Sequence, residues 1–360
     1  MLNKKLPQEL LDRVFSFIDS ARDLAQCRLV CKFLDHPAER AMFSKPIVVR
    51  FGLTANALYY HLENKKTMGK LIRSLKFKSS WTSSEPSIYI KLLPLVFTPT
   101  MESLQGIIRN PGFFKTLVDI AEATTEATFS NLKVLPTIEN KHCSEEYGKA
   151  LVYFGATLQH VLISGDRSAE IPWQVYSQLS TFDNLTSLEI YNLNTLEGLD
   201  TLEGLNRILA PFLHLQELKL LSYGMIEDAT DEEDLLEWMN EHVDQVDTLI
   251  KVVMEGDEQQ GIVEFLVYKY PNMKQADVFL RSFKYYDQEE SDTSGIHRII
   301  EALQSVPVYR LYYKDEILPS VMQEIKKHVK SYCLPPFMVS YNNSCPNPLW
   351  LMMEVVNDLL

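Results

Sequence analysis

The chain has 360 residues, of which 46% are hydrophobic and 23% charged; this is enough apolar material for a large core and too much for intrinsic disorder. At roughly 100–200 residues per domain it holds two ordinary domains, or one small domain followed by a repeat array. Thirteen glycines are about half the average usage of roughly 7%, which counts against Gly-rich phosphate loops. A net charge of −13 counts against broad binding to phosphate backbones or to anionic membranes.

The first predicted element is a helix opening at Pro7, whose fixed φ suits a first helical turn, with Glu9 at the positive end of the dipole. Leu10, Leu11, Val14, Phe15 and Ile18 recur at helical spacing and form one stripe. Ser20 or Asp23 can cap a second helix in which Leu24, Cys27, Cys31 and Leu34 share a face, widened by Val30 and Phe33. Asp35-His36-Pro37 is then expected to break the pattern and to start a short third helix through Ala38, Ala41, Met42 and Phe43. Three helices in about 40 residues give a core too small to stand comfortably alone.

From about residue 70 the pattern L-x-x-L-x-L recurs: Ile72-Leu75-Phe77, Met101-Leu104, Leu132-Leu135, Leu158-Val161-Ile163, Leu185-Leu188-Ile190, Leu215-Leu218-Leu220, Val246-Leu249, Met273-Ala276-Val278 and Val308-Leu311-Tyr313. The third apolar position fails at Gly106, Thr137 and Lys251. The nine segments lie about 30 residues apart, near the upper end of the spacing of leucine-rich repeats. Amphipathic stretches lie between them, among them Phe114-Leu117-Ala121, Leu235-Met239, Ile262-Phe265-Lys269, Ile299-Leu303 and Val321-Ile325-Val329. One short strand plus one helix per unit is implied, each unit burying its leucines against the next. Phe337–Leu360 is expected to hold a final strand and a capping helix carrying Leu349, Met352, Met353 and Val356.

Five widely spread cysteines without a CxxC pair point to neither a disulfide framework nor a zinc site, and so to a reduced intracellular setting, cytoplasmic or nuclear. No run of 18 apolar residues reads as a membrane span. Cys27 and Cys31 sit one helical turn apart near His36, but two thiols of this kind are simply small core hydrophobes. His142-Cys143 lacks an orienting acid, and adjacent residues point apart. No GxSxG, HExxH, Walker or GxGxxG pattern is present. An enzyme is therefore disfavoured, and no cofactor or metal is expected.

Leu6-Pro7-x-Glu9-Leu10-Leu11, Val14-Phe15-Ser16-Phe17-Ile18, Asp23-Leu24 and Cys27-Arg28-Leu29-Val30-Cys31-Lys32-Phe33 together resemble the F-box in order and spacing. Phe33 and Phe43 stand where that family often has tryptophan, so an aromatic is kept. Residues from about 70 to 345 resemble the leucine-rich repeat family, although only Asn140 matches its asparagine position, with Asp166 and Ser80 as partial substitutes. The expected fold is thus α/β: a three-helix F-box (1–45), a linker or first helix (46–70), and a curved solenoid with a C-terminal cap (71–360). The resemblance implies a non-catalytic substrate receptor of a Skp, cullin, F-box ubiquitin ligase. Leu6, Pro7, Leu10, Leu11, Val14, Phe15, Val30, Cys31 and Phe33 would meet a Skp-type adaptor and, through it, a cullin-RING ligase. The residues between the core leucines, namely Glu189, Tyr191, Lys219, Asp277, Phe279, Tyr312 and Lys314, would face the concave side and meet a protein substrate. Neither a membrane nor nucleic acid is expected as a partner. The other class of reading is a leucine-rich repeat interaction scaffold outside ubiquitin transfer, whose N-terminal helices merely cap the array.

One stretch carries most of the charge. Residues 226–258 contain 13 acids and one lysine, either as a docking edge for a basic partner or as the carboxylate-rich start of a helix near Leu235.

Overall fold

A computed structural model describes residues 7–78, 87–124, 129–138, 144–164, 178–191, 201–223, 232–256, 260–280, 294–314 and 350–356. The chain forms two compact units, residues 1–159 and 160–360.

The first unit begins with α1 (Gln8–Ser16), α2 (Ala21–Val30) and α3 (Lys32–Ser44). The Ser20 side chain caps α2 by accepting from the Asp23 N–H. The break falls earlier than Asp35-His36-Pro37: it is at Cys31, which is extended, while Pro37 lies inside α3. Near a helix start a proline forfeits only the bond to the residue four back, here Phe33, and the turn survives.

Strands β1 (Ile47–Arg50), β2 (Ser74–Lys78), β3 (Ser103–Ile108) and β4 (Thr137–Ile138) come next in spatial order, paired in parallel. Helices α4 (Phe51–Asn64), α5 (Lys66–Gly69), α6 (Ile88–Val96) and α7 (Pro111–Ala123) connect them, and α8 (Ser144–Phe154) comes after β4. The expected linker 46–70 is therefore itself a strand and two helices, with Ile47 paired to Leu75 and Val49 to Phe77. Val49, Leu75, Phe77 and Leu104 are buried, and Phe77 packs on Tyr89 and Phe113 of the covering helices. Gly106 explains the failed third position. Its φ is +121°, and a Cβ there would lie 2.2 Å from the Phe77 carbonyl oxygen. Pairing to the next strand shifts by one at this point, from Ser103↔Val134 to Ile107↔Thr137, a bulge in β3, and Ile108, four residues after buried Leu104, is buried too.

In the second unit β5 (His160–Ser164), β6 (Ser187–Tyr191), β7 (Glu217–Tyr223), β8 (Lys251–Gly256), β9 (Gln275–Leu280) and β10 (Val308–Lys314) pair in parallel and in sequence order. Between them lie α9 (Leu202–Leu209), α10 (Glu232–His242), α11 (Gln260–Lys269) and α12 (Ser294–Leu303). Leu188, Leu218, Val252, Ala276 and Tyr309 form one buried row, and Ile190, Leu220, Met254, Val278 and Leu311 a second. Two expected frames change. The seventh segment is Leu249-Val252-Met254, three residues later, and the ninth centres on Tyr309 and Leu311, two residues earlier. In both units a backbone ladder links successive turns: the N–H just before each strand donates to the equivalent carbonyl one unit back, as Glu102 to Arg73, Lys133 to Glu102, Gln216 to Thr186 and Ile250 to Gln216. This satisfies the turns without the asparagines that the sequence lacks. The capping helix expected after Phe337 is not formed by residues 350–356, which are strand β11 (Trp350–Val356), antiparallel to β10. The stretch Val321-Ile325-Val329 lies outside the described residues.

Candidate functional site

The N-terminal helices divide their apolar residues between two jobs. Leu11 and Phe15 of α1, Leu24 of α2 and Ala38 and Ala41 of α3 form a small core, flanked by Ile18, Cys27, Leu34 and Met42. Leu11 and Phe15, expected to touch an adaptor, are thus buried and hold the helices together. Pro7, Leu10, Val14, Val30, Cys31 and Phe33 are exposed, and Leu6 lies outside the described residues. Two residues missed as contacts join them: Phe17 is 77% exposed and Leu29 79%. Among the described residues twelve large hydrophobics are exposed, and six of them, Leu10, Val14, Phe17, Leu29, Val30 and Phe33, belong to these helices. Such a concentration of large apolar side chains marks a binding surface rather than ordinary surface scatter.

Polar contacts fix these helices to one another and to α4. Lys45 Nζ donates to the Ser16 carbonyl at the end of α1, 2.9 Å away. Arg28 donates to Asp35 across the Cys31 break at 2.8 Å, and this bond holds the Asp35 carboxyl below its usual range. Glu39, buried on α3, receives Arg28 at 3.0 Å and Lys65 at 2.8 Å, and His61 Nε2 lies 3.3 Å away. His61 also stacks on Phe43. A buried carboxylate with several cationic partners is satisfied, and here it ties α2 and α3 to α4 and to Lys65 at its C-terminal end.

The second candidate surface is the sheet face of the second unit that points away from the buried rows. Leu162, Glu189, Lys219, Val253, Asp277 and Arg310 are register partners across it, and so are Tyr191, Leu221, Glu255, Phe279 and Tyr312. Glu189, Lys219 and Asp277 do share a row, and Tyr191, Phe279 and Tyr312 the next. Lys314 is the last residue of β10, paired with Trp350. The aromatics are not the exposed anchors that their spacing suggests. Phe279 and Tyr312 stack at 4.1 Å, nearly parallel, and are buried together with Leu221 and Val253, while Tyr191 packs against them. The charges are mutually neutralised: Lys219 lies 3.5 Å from Glu189 and 3.9 Å from Glu217, Lys251 lies 3.9 Å from Glu217 and 3.6 Å from Asp277, and Arg310 lies 3.5 Å from Asp277. Lys251, Val253 and Arg310 escape a reading by sequence because two repeat frames are displaced, and Glu217, whose frame holds, because it precedes the central Leu218 rather than following it. At one end His160 Nδ1 meets Ser187 Oγ at 2.9 Å, and burial holds His160 below its ordinary pKa.

Cys27 is half-buried against the small core and Cys31 is exposed; both are free thiols. His142, Cys143, Ser80, Asn140 and Asp166 lie outside the described residues. No group of three or more His, Cys, Asp or Glu among the described residues is placed to hold a metal, and no described helix is long and apolar enough to cross a membrane. In the acidic stretch α10 begins at Glu232, which puts Asp234 in its first turn, where a carboxylate favours the dipole; Glu237, Glu241, Asp244 and Asp247 lie beyond that turn and are exposed.

Residues 4–41 match the F-box-like family. The match covers α1, α2, most of α3, the buried residues of the small core and all six exposed apolar residues, and supports an F-box protein. F-box domains bind a Skp-type adaptor and are typically non-catalytic. No curated protein matches the chain.

Proposed function

We propose that the chain is the substrate-recognition subunit of a Skp, cullin, F-box ubiquitin ligase. Its helices α1–α3 would dock on a Skp-type adaptor, and the strand–helix units, read as leucine-rich repeats, would hold a protein substrate. The carrying observation is the exposure of Leu10, Val14, Phe17, Leu29, Val30 and Phe33 within the F-box-like segment. Helices that merely capped an array would bury this surface against it, so the scaffold reading is the weaker one. The receptor performs no chemistry. It raises the effective concentration of substrate lysines beside a charged ubiquitin carrier, and for this a docking module firmly tied to its neighbour is an advantage; the Glu39 cluster supplies the tie. Pull-down with a Skp-type adaptor tests the assignment. Wild type is expected to bind and a Leu6→Ala, Pro7→Ala variant to bind less; equal binding, or none by either, rejects it.

A further inference from the structure

The two sheets carry opposite solutions on their outward faces. In the second unit the outward bases whose side chains are described, Lys219, Lys251 and Arg310, each sit within 4 Å of a carboxylate. In the first unit the outward residues of β1 and β2 include Val48, Arg50, Lys76 and Lys78, all four exposed, with half-buried Ser74 at the start of β2. Arg50 and Lys78 are register partners, as are Val48 and Lys76. None of the three basic side chains has a partner among the described residues. Neighbouring strands are about 4.8 Å apart and alternate residues about 6.6 Å apart, so three uncompensated cations share one small patch. Like charges side by side on a sheet oppose folding, and no described residue of the unit relieves them.

We propose that this face binds an extended, carboxylate-rich peptide segment of the protein substrate, an inference that rests on the receptor reading and gives its substrate a chemical class. An extended peptide presents alternate side chains at the same spacing as Lys76 and Lys78, so two Glu or Asp residues can meet both lysines while a third reaches Arg50. The apolar Val48 and half-buried Gln105, the register partner of Lys76, lie beside the patch. Phosphate is the poorer match. Tight phosphate sites use bidentate Arg, whereas here one Arg and two Lys spread an exposed field suited to several point charges. Three cations on a chain of charge −13 are also too few for a nucleic-acid footprint.

The test is fluorescence anisotropy with the full chain and a labelled peptide of alternating Glu and Ser. A Gln-for-Glu peptide, a phosphoserine peptide with the other acids removed, and a single-stranded oligonucleotide serve as comparisons. The Glu peptide is expected to bind, to weaken as salt rises, and to lose about tenfold or more in affinity with Lys76→Glu, Lys78→Glu. The neutral triple variant Arg50→Gln, Lys76→Gln, Lys78→Gln should lose affinity too, and Lys66→Glu, Lys91→Glu, of equal net charge change on exposed helix positions, should not. The inference is overturned if the Glu peptide does not bind, if the Gln, phosphoserine or oligonucleotide probe binds as well or better, or if both double variants lose affinity equally. Adaptor binding measured on the same proteins separates this from the receptor reading: the patch variants should retain it, and its absence from wild type would count against the receptor assignment alone.

Discussion

Glu39→Ala is the perturbation that most directly probes how the docking helices are held. The Glu39 side chain is 2% exposed, while Arg28 and Lys65 are 25% and 44% exposed. Removing one member of a fully buried pair costs about 3–5 kcal/mol, and an exposed pair is worth about 0.2–1. Here the anion is buried, but both cations can regain water and Arg28 keeps Asp35 at 2.8 Å, so the expected loss is intermediate, about 1.5–3 kcal/mol. Lys65→Ala leaves the buried carboxylate with Arg28 and His61 and should cost about 1–2 kcal/mol. The double variant should cost less than the sum, because the carboxylate that Lys65 serves is gone. Hydrogen exchange on the full chain, followed by mass spectrometry, reads the effect locally: amides of α2, α3 and α4 should lose protection, while those of the second unit keep theirs. A Glu39→Ala protein whose α2–α4 protection stays within about 0.5 kcal/mol of wild type, or strictly additive single changes, would show that the Glu39 cluster does not hold these helices.

Gly106→Ala places a Cβ 2.2 Å from the Phe77 carbonyl oxygen at a φ of +121°; strain and displaced backbone together should cost about 2–4 kcal/mol, read from the urea midpoint, and a change below about 0.5 would dismiss the bulge account. His160 has a folded-state pKa below its unfolded value because burial disfavours the imidazolium. The unfolded chain therefore binds more protons below about pH 6.5, so stability should be full above that pH and fall as the pH drops toward 5; urea melts of His160→Gln should show a smaller fall. Lys251→Ala, despite two acidic neighbours, should change stability by less than about 1 kcal/mol, because its side chain is one-third exposed and its contacts are long.

The docking helices are largely legible in the sequence because helical periodicity is local: Leu11, Phe15, Leu24, Ala38 and Ala41 all fall on predicted stripes. Periodicity does not say which part of a wide stripe is core, so it groups Leu11 and Phe15 with Leu10 and Val14. The Glu39 cluster is invisible to it, since Lys65 lies 26 residues away. In the strand–helix units the two displaced frames have different consequences. A slip of two, at Val308, keeps every face, and Tyr312 still points outward; a slip of three, at Val246, puts Lys251 in a core position, and a lysine there argues against that frame. Ile47-Val48-Val49 carries a strand signal in its β-branched side chains, obscured because a strand of 4 residues is too short to show a period. Leu351, Met353 and Val355 belong to a strand because they pair with Tyr313, Leu311 and Tyr309 of β10. Over so short an apolar run the pattern alone fits a helix equally well.

The exposed apolar residues of α1 and α2 are proposed to bind a Skp-type adaptor. Titration calorimetry of purified full chain with purified adaptor tests it, comparing wild type with Val14→Asp, Val30→Asp and with Tyr153→Asp, Leu236→Asp, which alter exposed hydrophobics elsewhere. Saturable binding by wild type is expected, with at least about a tenfold loss, roughly 1.4 kcal/mol, for the first variant at unchanged thermal stability, and little change for the second. Equal affinity in all three proteins, or no binding by wild type, would contradict it.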